Sequence, residues 1–196
     1  MTVPVSSFTA TPRWYLRRVR ADAVRNLEAV LTTGARMLAE DPAASIAAIA
    51  AAAGVDRRTV YRRFAARDEL LAAIYDARLT AVEAAIEAAR LRESPVPVAL
   101  HRYAEGVIAV NRQWPVELIR MRTEPSIQER RGRSIAALNA FLRRATDEGY
   151  LRADLPEGWA YRLFIDLLHL ASREDMSTPQ AADLLVRTLL SGVGAS

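Results

Sequence analysis

A short segment after Gly54 carries side chains suited to contact with a nucleic acid. Thr59 and Tyr61 stand there among four arginines, which are Arg57, Arg58, Arg62 and Arg63. A guanidinium fork matches a guanine edge or a phosphate, threonine can meet a base through its hydroxyl or methyl group, and a tyrosine hydroxyl can bind a phosphate. Taken singly, each residue also fits an ordinary solvated or half-buried position. Taken together, they indicate a helix that presents a DNA-binding face.

The surrounding residues predict a helix-turn-helix unit. Ser45 can cap a first short helix, Gly54 can take the positive φ that the turn requires, and Asp56 can cap the second helix. Val60 and Phe64, four residues apart, would face the core of this unit and leave the arginines outside. The second helix would then lie in the major groove of DNA.

The charge of the chain is unevenly distributed, and its basic side chains are all arginine. Residues 1–64 contain 10 arginines against 5 acidic residues, whereas residues 65–196 contain 17 against 18. A basic first third is the electrostatic footprint expected of a protein that contacts phosphates, although such segments also occur in proteins that bind no nucleic acid.

Residues 35–70 resemble the DNA-binding domain of the TetR family of bacterial helix-turn-helix transcriptional regulators. The matching pieces are Ser45 with Ile49-Ala50, Ala53-Gly54-Val55, Thr59-Val60-Tyr61 with Phe64, and Arg67 with Leu70. The resemblance implies a homodimer, in most members a repressor, that a small-molecule effector releases from a palindromic DNA operator. The DNA-binding residues that it implies are Ser45, Arg57, Arg58, Thr59, Tyr61, Arg62 and Arg67.

The resemblance also implies a role for most of these residues. Arg57, Arg58 and Thr59 would lie nearest to base edges, while Tyr61 and Arg62 would contact backbone phosphates. Arg67 replaces the lysine with which the family usually holds a phosphate from the start of the fourth helix. Asp56 stands where the family often has serine, so the helix cap is kept but a negative charge is added near the DNA.

Helical periodicity runs through the chain and predicts an all-α fold. The predicted helices cover residues 20–40, 45–52, 56–64, 68–91, 98–112, 115–122, 126–148, 157–173 and 179–191. With the resemblance, this pattern indicates a nine-helix TetR-like architecture with a three-helix head and a helical body. The expected divisions are a flexible arm over residues 1–19, a DNA-binding domain over 20–66 and an effector-binding and dimerisation domain over 67–196. The arginines of the arm would either reach the DNA or belong to a solvated tail.

The body is predicted to hold a ligand pocket and a dimer interface. Aromatic walls with a few polar groups are usual in small-molecule sites, although ordinary core packing would also account for each residue. The candidate pocket residues are Tyr75, His101, Tyr103, Trp114, Met121, Phe141, Trp159 and Phe164. The last two helices carry more leucine than a terminal hairpin can bury, unless both simply close the core of the protomer. The candidate interface residues are Leu163, Leu167, Leu168, Leu184, Leu185 and Leu189.

Composition argues against several other classes of protein. Without cysteine there are no disulfides and no thiolate chemistry. Two distant histidines, His101 and His169, do not suggest a metal site, and no nucleophile or phosphate-binding motif indicates an enzyme or a cofactor. No leader or membrane span is expected, which predicts a cytoplasmic protein. The main alternative to the regulator is an all-helical interaction protein of the same fold that does not bind DNA.

Overall fold

The computed structural model describes residues 13–115 and 125–193, with side chains for residues 21–115 and 125–192. These residues form eight α-helices, which confirms the all-α prediction. The helices are α1 (Arg13–Glu40), α2 (Ile46–Ala52), α3 (Arg57–Arg63), α4 (Arg67–Ala89), α5 (Val96–Gln113), α6 (Pro125–Asp147), α7 (Trp159–Arg173) and α8 (Thr178–Val193). The ninth predicted helix, over 115–122, lies almost wholly outside the described residues. None of the described helices combines the length and apolar character needed to cross a bilayer.

The start of α1 differs from the prediction. The structure describes α1 from Arg13, so the helix includes residues 13–19, which the sequence analysis assigned to the arm. Pro12 precedes this start, and no proline or glycine interrupts residues 13–19. Because proline and glycine disfavour the interior of a helix, their absence from residues 13–19 agrees with a helix there. Residues 21–26 of α1 are largely exposed, and Val24 is 64% exposed.

Two hydrophobic cores divide the protein into a head and a body. The head core joins α1, α2 and α3 with the first half of α4, through Leu70, Ile74 and Leu79. The body core joins the second half of α4 with α5, α6, α7 and α8. Val110 and Trp114 of α5 also belong to the head core, so the two parts are packed directly on each other. The hydrophobic core of the head therefore extends beyond residue 66, where the sequence suggested a division.

Glycines allow α4 to approach a neighbour closely in each core. A Cβ atom on Gly34 of α1 would lie 3.0 Å from Cδ1 of Ile74, and one on Gly106 of α5 would lie 2.9 Å from Cβ of Ala85. Protein interiors are packed too densely to absorb such atoms without movement. These two positions hold α4 against α1 at the head and against α5 in the body.

The contact at Gly106 gives a testable prediction about stability. We expect Gly106→Ala to lower the free energy of unfolding by about 1–3 kcal/mol, because the new methyl group pushes α4 from α5. Gly132→Ala in α6 is the matched control, since a Cβ there meets nothing within 4 Å. It should raise the free energy of unfolding by up to about 1 kcal/mol through helix propensity. Urea denaturation of both variants measures the difference, and a stabilised Gly106→Ala protein would contradict the close packing.

Candidate nucleic-acid interface and body cavity

The turn between α2 and α3 has the geometry that its sequence predicts. Ser45 Oγ accepts a hydrogen bond from the Ala48 amide at 3.1 Å and so caps α2. Gly54 has a φ of +67°, a conformation that costs glycine little. Asp56 Oδ1 then accepts a hydrogen bond from the Thr59 amide at 3.1 Å and caps α3. Capping at both helix starts fixes where α3 begins.

The two faces of α3 have different surroundings. Val60 and Phe64 are buried against the head core, which confirms their predicted inward orientation. The outer face carries four exposed arginines, which are Arg57, Arg58, Arg62 and Arg63. Within the described residues none of the four has an acidic partner in an ion pair. The face therefore presents positive charge that the described part of the protein does not neutralise.

Tyr61 is held within this face by a neighbouring arginine. The Arg57 guanidinium carbon lies 5.1 Å from the centre of the Tyr61 ring, which is a cation–π distance. Tyr61 is 37% exposed, so its hydroxyl-bearing end can be reached from outside. Thr59, one turn before Arg63, is half-buried beside these exposed residues. The predicted base-contacting and phosphate-contacting residues of α3 thus share one surface.

Arg67 faces the loop before α2. Its guanidinium donates to the carbonyl oxygens of Pro42 and Ala44, the latter at 3.5 Å from Nε. The side chain thereby connects the first residue of α4 to the segment that leads to Ser45. These two hydrogen bonds use two of the five N–H groups of the guanidinium. The other three are available for the phosphate contact, which stays a prediction.

A cavity of about 670 Å³ lies in the body between α4, α5, α6 and α7. Two of the eight predicted pocket residues, Tyr103 and Trp114, line it. Burial raises the pKa of the Tyr103 hydroxyl well above its ordinary value, so this group stays protonated. The volume falls in the usual range for sites that hold small organic molecules.

The other predicted pocket residues that the structure describes lie elsewhere. Tyr75 belongs to the head core and Phe141 to the body core. Phe164 is fully buried and stacks on Tyr103, with ring centres 5.7 Å apart. His101 is half-exposed near Glu105, and Trp159 is 47% exposed, so neither these two nor the core residues line this cavity. Met121 lies outside the described residues.

The sequence analysis missed the polar residues of the cavity wall. Arg78 of α4 donates from Nη2 to Asn111 Oδ1 at 2.8 Å and from Nε to the Trp114 carbonyl at 3.2 Å. Asn111 Nδ2 donates in turn to Ser172 Oγ of α7 at 3.1 Å. Burial lowers the pKa of Arg78 from its ordinary value, although a guanidinium remains charged. One signal was available, because Arg78 lies four residues from both Ile74 and Val82 on an otherwise apolar face of α4.

Arg112 borders the same cavity but has a structural role. Its five N–H groups donate to the carbonyl oxygens of Ala171, Ser172, Glu174 and Met176 and to the hydroxyl of Thr178, at 2.9–3.3 Å. The last carbonyls of a helix lack partners within the helix and carry partial negative charge. Arg112 therefore joins the end of α5 to the end of α7 and the start of α8.

Arg130 connects α6 to α4 on another surface. It forms ion pairs with Asp76 and with Glu83, the latter at 2.7 Å, and donates to Thr80 Oγ1 at 2.9 Å. The hydrogen bond from Arg130 lowers the pKa of the Glu83 carboxyl. The two acids closest to Arg78 along α4 are thus already paired.

The predicted dimer residues divide between the inside and the outside of the protomer. Leu168, Leu185 and Leu189 are at most 2% exposed and pack in the body core, so the described protomer does not present them on its surface. Leu163 and Leu167 of α7 are half-buried, and Leu184 of α8 is 45% exposed. An amphipathic helix buries one face against its own chain, and leucines on both faces hid this division in the sequence.

The outer face of α7 carries more apolar surface than the prediction included. Trp159, Leu163, Leu167 and Leu170 follow one another at spacings of four, four and three residues, which places them on one side of the helix. Leu170 is 57% exposed and Trp159 is 47% exposed. This α7 stripe gives the described protomer an exposed apolar face, and Leu184 of α8 is exposed as well.

Comparison with known proteins agrees with this architecture. The family described as "Bacterial regulatory proteins, tetR family" matches residues 30–74. The HTH-type transcriptional repressor LfrR of Mycolicibacterium smegmatis is 32% identical over 177 residues, which cover 86% of this chain and 90% of LfrR. The crystal structure of LfrR from Mycobacterium smegmatis in complex with proflavine has a TM-score of 0.65 at 30% identity, and covers 86% of this chain and 97% of that one. The ketosteroid transcriptional regulator KstR2 of Mycobacterium tuberculosis shares the fold, with a TM-score of 0.72 at 20% identity over 85% of this chain and 94% of KstR2.

The cap of α3 gives a prediction for the head. We expect Asp56→Ala to lower the free energy of unfolding by about 1 kcal/mol, because the Thr59 amide loses its acceptor. Asp56→Asn is the control, since asparagine is as good a cap, and it should leave stability nearly unchanged. Thermal or urea unfolding followed by circular dichroism provides the measurement. Equal destabilisation by both substitutions would show that the carboxylate charge, and not capping, is what matters at this position.

Proposed function

The chain belongs to the TetR family of bacterial regulatory proteins and is a DNA-binding transcriptional regulator, and we propose that it represses transcription as a homodimer that a small molecule releases from a palindromic operator. The observation that supports DNA binding most directly is the outer face of α3. There, four exposed arginines that have no acidic partner among the described residues surround Thr59 and Tyr61. The family is one of regulators and not of enzymes.

The proposed contacts follow from position on α3. Residues at the start of a recognition helix reach base edges, so Arg57, Arg58 and Thr59 would read the sequence of the operator. Tyr61 and Arg62 would hold backbone phosphates, which fix the orientation of the head. Ser45, at the start of α2, would contact a phosphate on the neighbouring turn of the groove, as helix starts often do.

The proposed dimer forms through the α7 stripe and Leu184. A palindromic operator places its half-sites about 34 Å or a multiple apart, so two heads must be held at a fixed separation. A two-fold interface pairs the same surface of each protomer, and helices with an exposed apolar face satisfy this by packing into a bundle. The exposed Leu170, Leu184 and Trp159 supply that surface. Such exposed leucine and tryptophan are otherwise unusual away from binding sites.

The proposed effector site is the body cavity, as the LfrR–proflavine complex suggests by analogy. Arg78 lies on this cavity and on α4, the helix that begins with Arg67 in the head. A molecule that binds the cavity more tightly in one position of α4 shifts the protein toward that position. Movement of α4 carries the head with it and changes the spacing of the two recognition helices.

DNA binding is tested by selection of genomic fragments with the purified protein, followed by affinity measurements on the recovered site. We expect Arg58→Ala to relax specificity at one base pair and cost about 1–3 kcal/mol, and Tyr61→Phe to weaken all sequences alike. Arg92→Ala, on the exposed turn after α4, is the matched control for loss of charge and should leave affinity unchanged. If no palindromic site is enriched, and if Arg58→Ala does not change the weak binding to the recovered fragments, the proposed operator and the proposed contacts of α3 are wrong.

The dimer is tested by placing a charge on the α7 stripe. Leu170→Glu should give a monomer, because two buried carboxylates would face each other across the two-fold axis. Operator affinity should fall by about 100-fold or more, since the second head no longer binds as part of the same molecule. Val98→Glu, at a 41% exposed position on α5, is the control for an added surface acid. Sedimentation and circular dichroism distinguish dissociation from unfolding, and a dimeric, folded Leu170→Glu protein would overturn the proposed interface.

A further inference from the structure

The body cavity combines an apolar wall with an excess of positive charge. Apolar side chains from four helices line it, among them Leu79, Val107, Leu138 and Ile165. Four arginines and a histidine also border it, and no aspartate or glutamate is among the described residues of its wall. The arginines are Arg78, Arg112, Arg131 and Arg173. A small-molecule site usually has a few charged groups, and their sign selects the ligand.

The bonding of these arginines separates structural roles from unused binding capacity. All five N–H groups of Arg112 are engaged at the ends of α7 and α8. Arg78 uses two of its five donors, and both acceptors, the Asn111 amide oxygen and the Trp114 carbonyl, are neutral. Arg131 has neither a hydrogen bond nor an ion pair with the described residues. The positive charge of Arg131 contributes, after burial, to the lowered pKa of Arg78.

Among the described residues, the acids of α4 and α6 nearest to this charge are paired elsewhere. Arg130 takes Asp76 and Glu83 of α4, and Glu129 of α6 pairs with Arg133. A partly buried guanidinium without a carboxylate partner is costly, because the loss of hydration is not offset by an opposite charge. Proteins tolerate such cost at sites where a bound molecule supplies the missing charge.

We propose that the cavity takes an organic anion, whose carboxylate or comparable acidic group binds Arg78 and Arg131 while its apolar body lies against Leu79, Val107 and Ile165. The inference rests on the proposed effector-regulated function, because it names the chemical class of the effector. A guanidinium can bind a carboxylate through two parallel hydrogen bonds, which gives direction as well as attraction. A planar aromatic cation such as proflavine would meet four arginines and is disfavoured.

The position of Arg78 links the anion to the head. Arg78 lies 11 residues after the start of α4, on the segment that runs from the head core into the body core. An anion that draws its guanidinium away from Asn111 and Trp114 acts directly on this helix. Asn111 also donates to Ser172 of α7, so a change at Arg78 would reach the opposite wall of the cavity through this hydrogen bond.

The test compares pairs of probes that differ in charge but not in shape. The anion 1-anilinonaphthalene-8-sulfonate is paired with neutral N-phenyl-1-naphthylamine, and decanoate with decanol, while proflavine is the cation. We expect at least one anion to bind the full-length protein about tenfold or more tightly than its neutral partner, and proflavine to bind no better than the neutral probes. Equal affinity within both pairs, no binding by either anion, or a preference for proflavine would overturn the proposal.

Two variants locate the charge that is responsible. Arg131→Met should reduce the affinity of the preferred anion about tenfold and leave its neutral partner unchanged, and it breaks no hydrogen bond of the described protein. Arg78→Met should have at least the same effect, with circular dichroism to establish that it folds. Arg92→Met, on the surface turn after α4, is the matched control and should bind as the unchanged protein does. Anion affinity that neither cavity variant alters would place the anion elsewhere and overturn the assignment.

Operator binding separates this inference from the function on which it rests. The operator affinity of the protein without probe tests the regulator, and its failure leaves the charge preference of the cavity measurable. With an intact operator complex, the preferred anion should lower operator affinity about tenfold, and Arg131→Met should require about ten times more anion for the same release. An anion that binds the cavity and leaves operator affinity unchanged would overturn its role as effector.

Discussion

Close packing of α4 against both α1 and α5 is the constraint on which the rest of the structure depends. Gly34 and Gly106 remove the side chains that would otherwise separate these helices, and Ile74 and Ala85 occupy the space. The two contacts are 11 residues apart on α4, or about 16 Å along its axis. A helix held in two dense cores moves as a rigid body, because neither core can deform continuously. The tight packing of α4 therefore couples the position of the head to that of the body, even without a ligand or DNA.

Polar groups in the body are arranged around that helix in two ways. Arg112 uses all five of its N–H groups at the ends of α7 and α8, and Arg130 forms ion pairs with Asp76 and Glu83. Both stabilise contacts between helices, since removing a partner would leave a buried or half-buried charge unpaired. Arg78 differs because its acceptors are neutral and part of its donor capacity is unused. Arginine thus connects helices at positions 112 and 130, whereas at position 78 it keeps donors that can bind another group.

The sequence predicted the head well because its signals are local. Caps at Ser45 and Asp56 and the positive φ of Gly54 act within a few residues, and each is found where expected. The body was predicted less well because the packing of its helices against one another decides which side chains line the cavity and which fill the core. Tyr103 and Phe164 are both aromatic and buried, yet Tyr103 lines the cavity and Phe164 fills the core behind it. Residues 13–19 of α1 were missed because the sequence analysis expected the first residues of the chain to form a flexible arm.

The two walls of α7 serve different neighbours. Ile165 and Ser172 face the cavity, whereas the stripe of Trp159, Leu163, Leu167 and Leu170 faces outward, where the second protomer is proposed to lie. Ligand binding in the cavity and dimer formation then involve the same helix. If ligand binding changes the affinity of the protomers for each other, dimer formation changes the affinity for the ligand by the same factor. The ligand concentration that half-saturates the protein would then depend on the concentration of the protein itself. A cell could thus alter the sensitivity of such a regulator by changing its copy number, with no change in any residue of the binding site.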